Sequence, residues 1–67
     1  MSANNIILIR RCGKQYKVWE DDYDWAAEHQ YKPPKKAKTY KDIDEAVNEA
    51  ERLQNSDYIE YGIRIMH

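Results

Sequence analysis

Apolar and polar positions follow a different pattern in each part of the chain. The run NIILIRR carries four consecutive apolar residues at 6–9, whereas KQYKVWE alternates polar with apolar. Cys12-Gly13 lies between them, and glycine accepts the positive backbone angles a tight hairpin turn needs. The pattern predicts strands at 5–11 and 14–20 joined by a two-residue turn. That turn would place Ile9 opposite Tyr16, Ile7 opposite Val18, Leu8 opposite Lys17 and Ile6 opposite Trp19. Ile7, Ile9, Tyr16 and Val18 then form the better apolar face, which is assigned to the core. The other face mixes Ile6, Leu8 and Trp19 with Arg10, Gln15 and Lys17. It needs a cover, either the 22–31 segment or another molecule.

DIDEAVNEAERLQN repeats apolar residues at helical spacing: Ile43, Ala46, Val47, Ala50 and Leu53 share one face. Asp42 is a suitable N-cap, Glu45 stands three residues later as in a capping box, and Asp44 and Glu45 suit the positive end of the helix dipole. The alanines let this helix approach a sheet closely. DYIEYGIRIM alternates again, with Ile59, Tyr61, Ile63 and Ile65 on one face and Tyr58, Glu60, Gly62 and Arg64 on the other. Gly62 marks a bulge or a close backbone approach. DWAAEHQ reads as a short helix capped by Asp22 or Asp24. Pro33-Pro34 ends any helix there, and KTY is short enough only to pair briefly with a sheet edge. The chain is therefore expected to be a single α+β domain over 1–67. Its predicted order is β-β-(short α)-α-β, an antiparallel three-stranded sheet (order 2-1-3) with one main helix packed on one face.

At 67 residues the core is small, and domains of this size usually lean on disulfides, a metal or a partner. Cys12 is the single cysteine, so no internal disulfide forms. One cysteine and two histidines, His29 and His67, make no metal-ligand spacing, and the two separate glycines make no phosphate loop. No cofactor, metal or small-molecule substrate is expected. No run reaches the length of a membrane span, and NNIILIRR is too short and too polar for a signal peptide. The expected setting is cytoplasmic.

The formal net charge is only −1, yet the charges are segregated. Residues 20–28 hold five acids and no Lys or Arg, 32–41 hold five lysines and no acid, and 42–60 hold seven acids against Arg52 alone. The lysine stretch YKPPKKAKTY sets cations among tyrosines, as a phosphate-binding and base-stacking strip would. Solvated connections also look like this, the loop lacks arginine for base contacts, and its acidic flanks repel a polyanion. The loop could instead close onto those acids. A nucleic-acid interface would use Arg10, Arg11, Lys14, Lys17, Lys35, Lys36 and Lys38. It is the alternative reading.

Six tyrosines and two tryptophans are more aromatics than so small a core can hold. Such residues anchor protein interfaces. Trp19, Tyr23, Trp25, Tyr31 and Tyr58 are the candidates for partial exposure, although Trp19 and Trp25 could instead meet in a second core under 22–31. Joined to the acidic segments, they give a candidate protein-binding set of Trp19, Asp21, Asp22, Tyr23, Trp25, Glu45, Glu49 and Tyr58. Catalysis lacks a base placed to work with Cys12, so no catalytic residue is assigned.

In size, lack of catalytic groups and charge segregation the chain resembles the small accessory proteins of phages and mobile elements, anti-CRISPR inhibitors among them. No motif carries that resemblance, so it implies no residue's role. The sequence points to a non-enzymatic binding protein of inhibitor or adaptor type. Self-association as a homodimer could use the Ile6/Leu8/Trp19 face or an open strand edge.

Overall fold

The computed structural model describes residues 4–56, 59 and 61–66. Strand β1 (Asn5–Cys12) and strand β2 (Gln15–Asp22) form the predicted hairpin. Helix α1 (Tyr23–Glu28) follows, then strand β3 (Lys38–Tyr40), helix α2 (Ile43–Ser56) and strand β4 (Ile63–Met66). The sheet has four strands in the order β3-β2-β1-β4.

β1 is central, and the apolar run at 6–9 shows why. A strand covered on both faces needs apolar side chains at every position rather than at alternate ones. Ile7 and Ile9 point to one layer, with Val18, Ala46 and Ala50. Ile6 and Leu8 point to the other, with Trp19 and Ala26. All four residues at 6–9 are buried, each contributing roughly 1.5–3 kcal/mol of hydrophobic stabilisation. The molecule is thus a sheet between two helices: α2 covers one face and short α1 the other.

The hairpin turn is Gly13-Lys14, not Cys12-Gly13. The register is Ile9 opposite Val18 and Leu8 opposite Trp19, two residues away from the predicted pairing. A two-residue slip keeps every side chain on its face, so the predicted division of faces holds. Gly13 takes φ +66 as the first turn residue, which suits a type II′ hairpin turn.

The all-antiparallel, three-stranded sheet is corrected: β4 runs parallel to β1, with Ile7 beside Ile63 and Ile9 beside Ile65. The cause is β3. It pairs antiparallel with β2, Tyr16 facing Tyr40 and Val18 facing Lys38, and carries the chain back to the hairpin end. α2 then has to run the other way, and β4 returns alongside β1. The expected alternation through Tyr61 also fails. Ile59 and Ile63 pack beneath α2, but Tyr61 leaves that face and stacks on Tyr23 at 4.5 Å between ring centres. Gly62, at φ +73, breaks the two-residue period between them. Of the same segment, Tyr58 and Glu60 lie outside the described residues.

Candidate functional site

α1 is fixed at both ends by specific bonds. Asp22 caps its start, Oδ1 accepting from the Trp25 backbone N–H at 3.1 Å. Asn4 Nδ2 donates to Asp22 Oδ1 and Asp24 Oδ2. At the far end the chain passes through two left-handed residues, Gln30 (φ 56) and Tyr31 (φ 57), each costing roughly 1–2 kcal/mol without glycine. Arg10 offsets part of this by donating Nη1 to both carbonyls, at 3.2 Å for Gln30 and 2.9 Å for Tyr31. Arg64 lies over the Tyr31 ring, 4.7 Å from its centre, and donates Nη1 to its hydroxyl.

The two tryptophans part company at this helix. Trp19 is 3% exposed, packed with Ile6, Leu8 and Ala26. Its expected partial exposure is therefore corrected: α1 lies over it, and Tyr23, Tyr31, Ala37 and Met66 fill the margins. The same packing closes the Ile6/Leu8/Trp19 face and removes it as a self-association surface. Trp25 does not join that core. It is 57% exposed and stacks on His29, ring centres 4.0 Å apart. His29 ends the helix, its Nδ1 2.8 Å from the Trp25 carbonyl. Around Trp25 the chain supplies Asp21, Asp22, Asp24 and Glu28. Among the described residues none of these four is paired with a cation. Tyr23 is half-buried beneath the exposed Tyr61.

The predicted protein-binding set is therefore split. Asp21, Asp22, Tyr23 and Trp25 belong to the α1 side, whereas Glu45 and Glu49 belong to α2 on the opposite face of the sheet. Tyr58 lies outside the described residues. Glu45 is exposed, but Glu49 is not a free acid. Arg52 donates Nε and Nη2 to its two oxygens at 2.7 and 2.6 Å, and Lys38 reaches it at 3.3 Å. These bonds, Arg52 first, hold the Glu49 carboxyl at about 2. Burial, helped by the Glu49 carboxylate, pushes the neighbouring Tyr40 phenol upward.

The basic residues do not converge. Arg10 is engaged with the 30–31 carbonyls, Arg11 Nε bonds the Gly13 carbonyl at 3.1 Å, and Lys38 is paired with Glu49. Lys14 sits at the hairpin tip and Lys17 mid-strand, but Lys36 lines a groove beside Glu20. Six strand residues separate Lys14 from that level, roughly 20 Å at 3.3 Å each. Asp42, Asp44 and Glu45 open α2 at the hairpin end. The lysine stretch instead closes partly onto acid, through Lys38 and Glu49.

That groove has a volume of about 210 Å³ and is lined by Val18, Trp19, Glu20, Lys36, Lys38, Glu49 and Leu53. It exists because β3 pairs only with residues 16–18 of β2. The ladder ends at Lys38 because the chain before it turns, the Ala37 N–H donating to the Pro34 carbonyl at 3.1 Å instead of continuing along β2. Sequence reasoning assigned Val18 and Leu53 no functional role, and placed Glu20 only within the acidic 20–28 segment. The shortness of KTY, which follows the two prolines, is the signal that a strand end stays uncovered. The Trp19 indole N–H is the buried side-chain polar atom left without an acceptor among the described residues. Such an omission costs about 1–3 kcal/mol.

Among the described residues no group of three or more His, Cys, Asp or Glu could hold a metal, and no helix is long and apolar enough to cross a membrane. No protein-family model, curated protein or solved structure matches the chain.

Proposed function

We propose that this chain is a non-enzymatic binding protein of inhibitor or adaptor type, acting by contact with another protein through the α1 side of the sheet. The observation that carries the reading is Trp25: more than half exposed, held flat by His29, and set among Asp21, Asp22, Asp24 and Glu28 with no cation paired to them in the described chain. An exposed, rigid aromatic among acids suits a basic partner surface, because it offers contact area, a π-face for a cation and charge complementarity together. Occluding or bridging a partner in this way needs no catalytic pocket.

The test uses the immobilised full chain, its Trp25→Ala variant and its Asp24→Lys/Glu28→Lys variant as parallel baits in lysate of the source cells. The reading expects a partner held by the unaltered chain and lost by both variants, with circular dichroism unchanged. A partner held equally by all three would remove α1 as the binding surface.

A further inference from the structure

We infer that the open edge of β4 pairs with β4 of a second copy of this chain, antiparallel and centred on Ile65, to give a two-fold dimer with one continuous sheet. The inference goes beyond the α1 reading and stands without it.

β4 lies at the end of the sheet, with β1 as its neighbour. Ile7 stands beside Ile63, and the Ile7 N–H donates to the Gly62 carbonyl at 3.0 Å. In a parallel ladder a residue bonds the two residues flanking its partner, so Ile7 and Ile9 engage Gly62, Arg64 and Met66. The N–H and C=O of Ile63 and Ile65 then point away from the sheet, with no strand beyond them among the described residues. The side chains follow suit. Ile65 stands beside the fully buried Ile9 on the α2 face, yet it is 44% exposed, because α2 lies chiefly over β1 and β2. The two edges of the sheet differ in their defence. β3 is three residues long and carries Lys38, and shortness and lysine both discourage strand pairing. β4 reads IRIM, with no lysine, acid or proline. Its one charge, Arg64, is on the other face, over the Tyr31 ring. Such an edge offers backbone bonds and apolar contact. The matching surface is a short apolar strand, which β4 of another copy supplies. Charge then sets the register. An axis through Arg64 would put two guanidinium groups directly opposite each other. An axis through Ile65 puts Arg64 across from Met66 of the partner subunit, pairs the Ile65 backbone groups reciprocally and lays the two Ile65 side chains together. The gain falls where the chain is poorest: Ala26, Ala46 and Ala50 stand among its buried apolar residues, and its single cysteine makes no internal disulfide. The axis of such a pair is perpendicular to the sheet, so both copies of α1 lie on one side of the dimer.

Sedimentation equilibrium of the full chain, from low micromolar to near-millimolar concentration, should fit monomer and dimer. Ile65→Lys should weaken association by about tenfold or more with circular dichroism unchanged. Backbone hydrogen exchange at the two ends of that range needs no variant and reads the register. The Ile65 amide, open in the monomer, should gain protection of about tenfold or more as the dimer forms, whereas the Arg64 and Met66 amides, bonded to β1, keep theirs at both concentrations. A chain that stays monomeric throughout overturns the inference and leaves the edge to an extended segment of a different protein. A dimer that survives Ile65→Lys, or that forms without protecting the Ile65 amide, also overturns it, as does growth past the dimer into open assemblies. Trp25→Ala should leave association unchanged. Loss of the dimer in that variant would move self-association to α1 and sink this inference.

Discussion

Glu49 is where α2 and β3 meet at one carboxylate. Arg52 reaches it from the next turn of α2, Lys38 from β3, and Tyr40 packs beside it. Its carboxyl is held at about 2, below the ordinary 4.5. Folding therefore favours the ionised form, and that contribution is complete above pH 4.5 and lost as pH falls toward 2. Both cations are more than half exposed, so screening limits the gain to about 0.5–1 kcal/mol. Glu49→Gln should lower stability by that amount at pH 6 and flatten the decline between pH 4.5 and 2, as read by urea unfolding at a series of pH values. Tyr40 works in the opposite sense. Its raised phenol favours the neutral form, so its contribution is present below pH 10 and fades above it. The tryptophans divide in the same experiment. Trp19→Ala removes a packed side chain and should cost about 3–5 kcal/mol, most of what so small a domain holds. Trp25→Ala should change stability by no more than about 0.5 kcal/mol. Equal losses would mean that Trp25 is part of the core rather than a surface anchor.

Elements this short depend on contacts made far away in sequence. α1 spans six residues, too few to be stable alone, and is held by Asp22 at one end and Arg10 at the other. Arg10→Ala should leave the hairpin intact and speed hydrogen exchange through 23–31 by about tenfold or more, since a charged hydrogen bond contributes roughly 1.5–3 kcal/mol. Unchanged exchange would remove Arg10 from that role. β4 depends on Gly62 in a similar way. Gly62→Ala places a side chain at φ +73 and should cost about 1 kcal/mol or more in an unfolding titration. These long-range dependencies explain what the sequence could and could not show. Alternation at 14–20 and the apolar run at 6–9 assign each side chain to a layer, because facing depends on parity alone. Register does not follow from parity, and so the turn moved by one residue at each strand. The direction of β4 depends on whether three residues, Lys38–Tyr40, complete a strand. Their pairing is decided by Tyr16 and Val18, twenty or more residues earlier. Burial of Trp19 was open for the same reason: only the docking of Ala26 and its neighbours closes that face.

At the scale of the whole molecule, the question is whether charges separated along the chain are also separated in space. The Cα radius of gyration is 11.1 Å, close to the roughly 10.9 Å of a compact domain this long, so among the described residues no charged segment stands apart as an arm. The register sets Arg11 and Lys14 at the hairpin end and Asp21, Asp22 and Asp24 toward the opposite end. A polyanion approaching the hairpin would also meet Asp42, Asp44 and Glu45 at the start of α2. Lys35 and Lys36 belong to the loop at the β2 edge, and Lys38 is already paired. Counterion release rewards several cations that engage one phosphate backbone together, and here the free cations are dispersed. Fluorescence anisotropy with labelled duplex DNA and single-stranded RNA should therefore show no saturable binding at micromolar protein and physiological salt. Any weak signal at low salt should vanish as salt rises and be indifferent to Lys35→Gln/Lys36→Gln. Micromolar binding at physiological salt, lost in that double variant, would transfer the function from α1 to the lysine loop. The same double variant leaves the acids around Trp25 untouched, so protein capture by α1 should survive it, and the two surfaces can be judged independently in one set of samples.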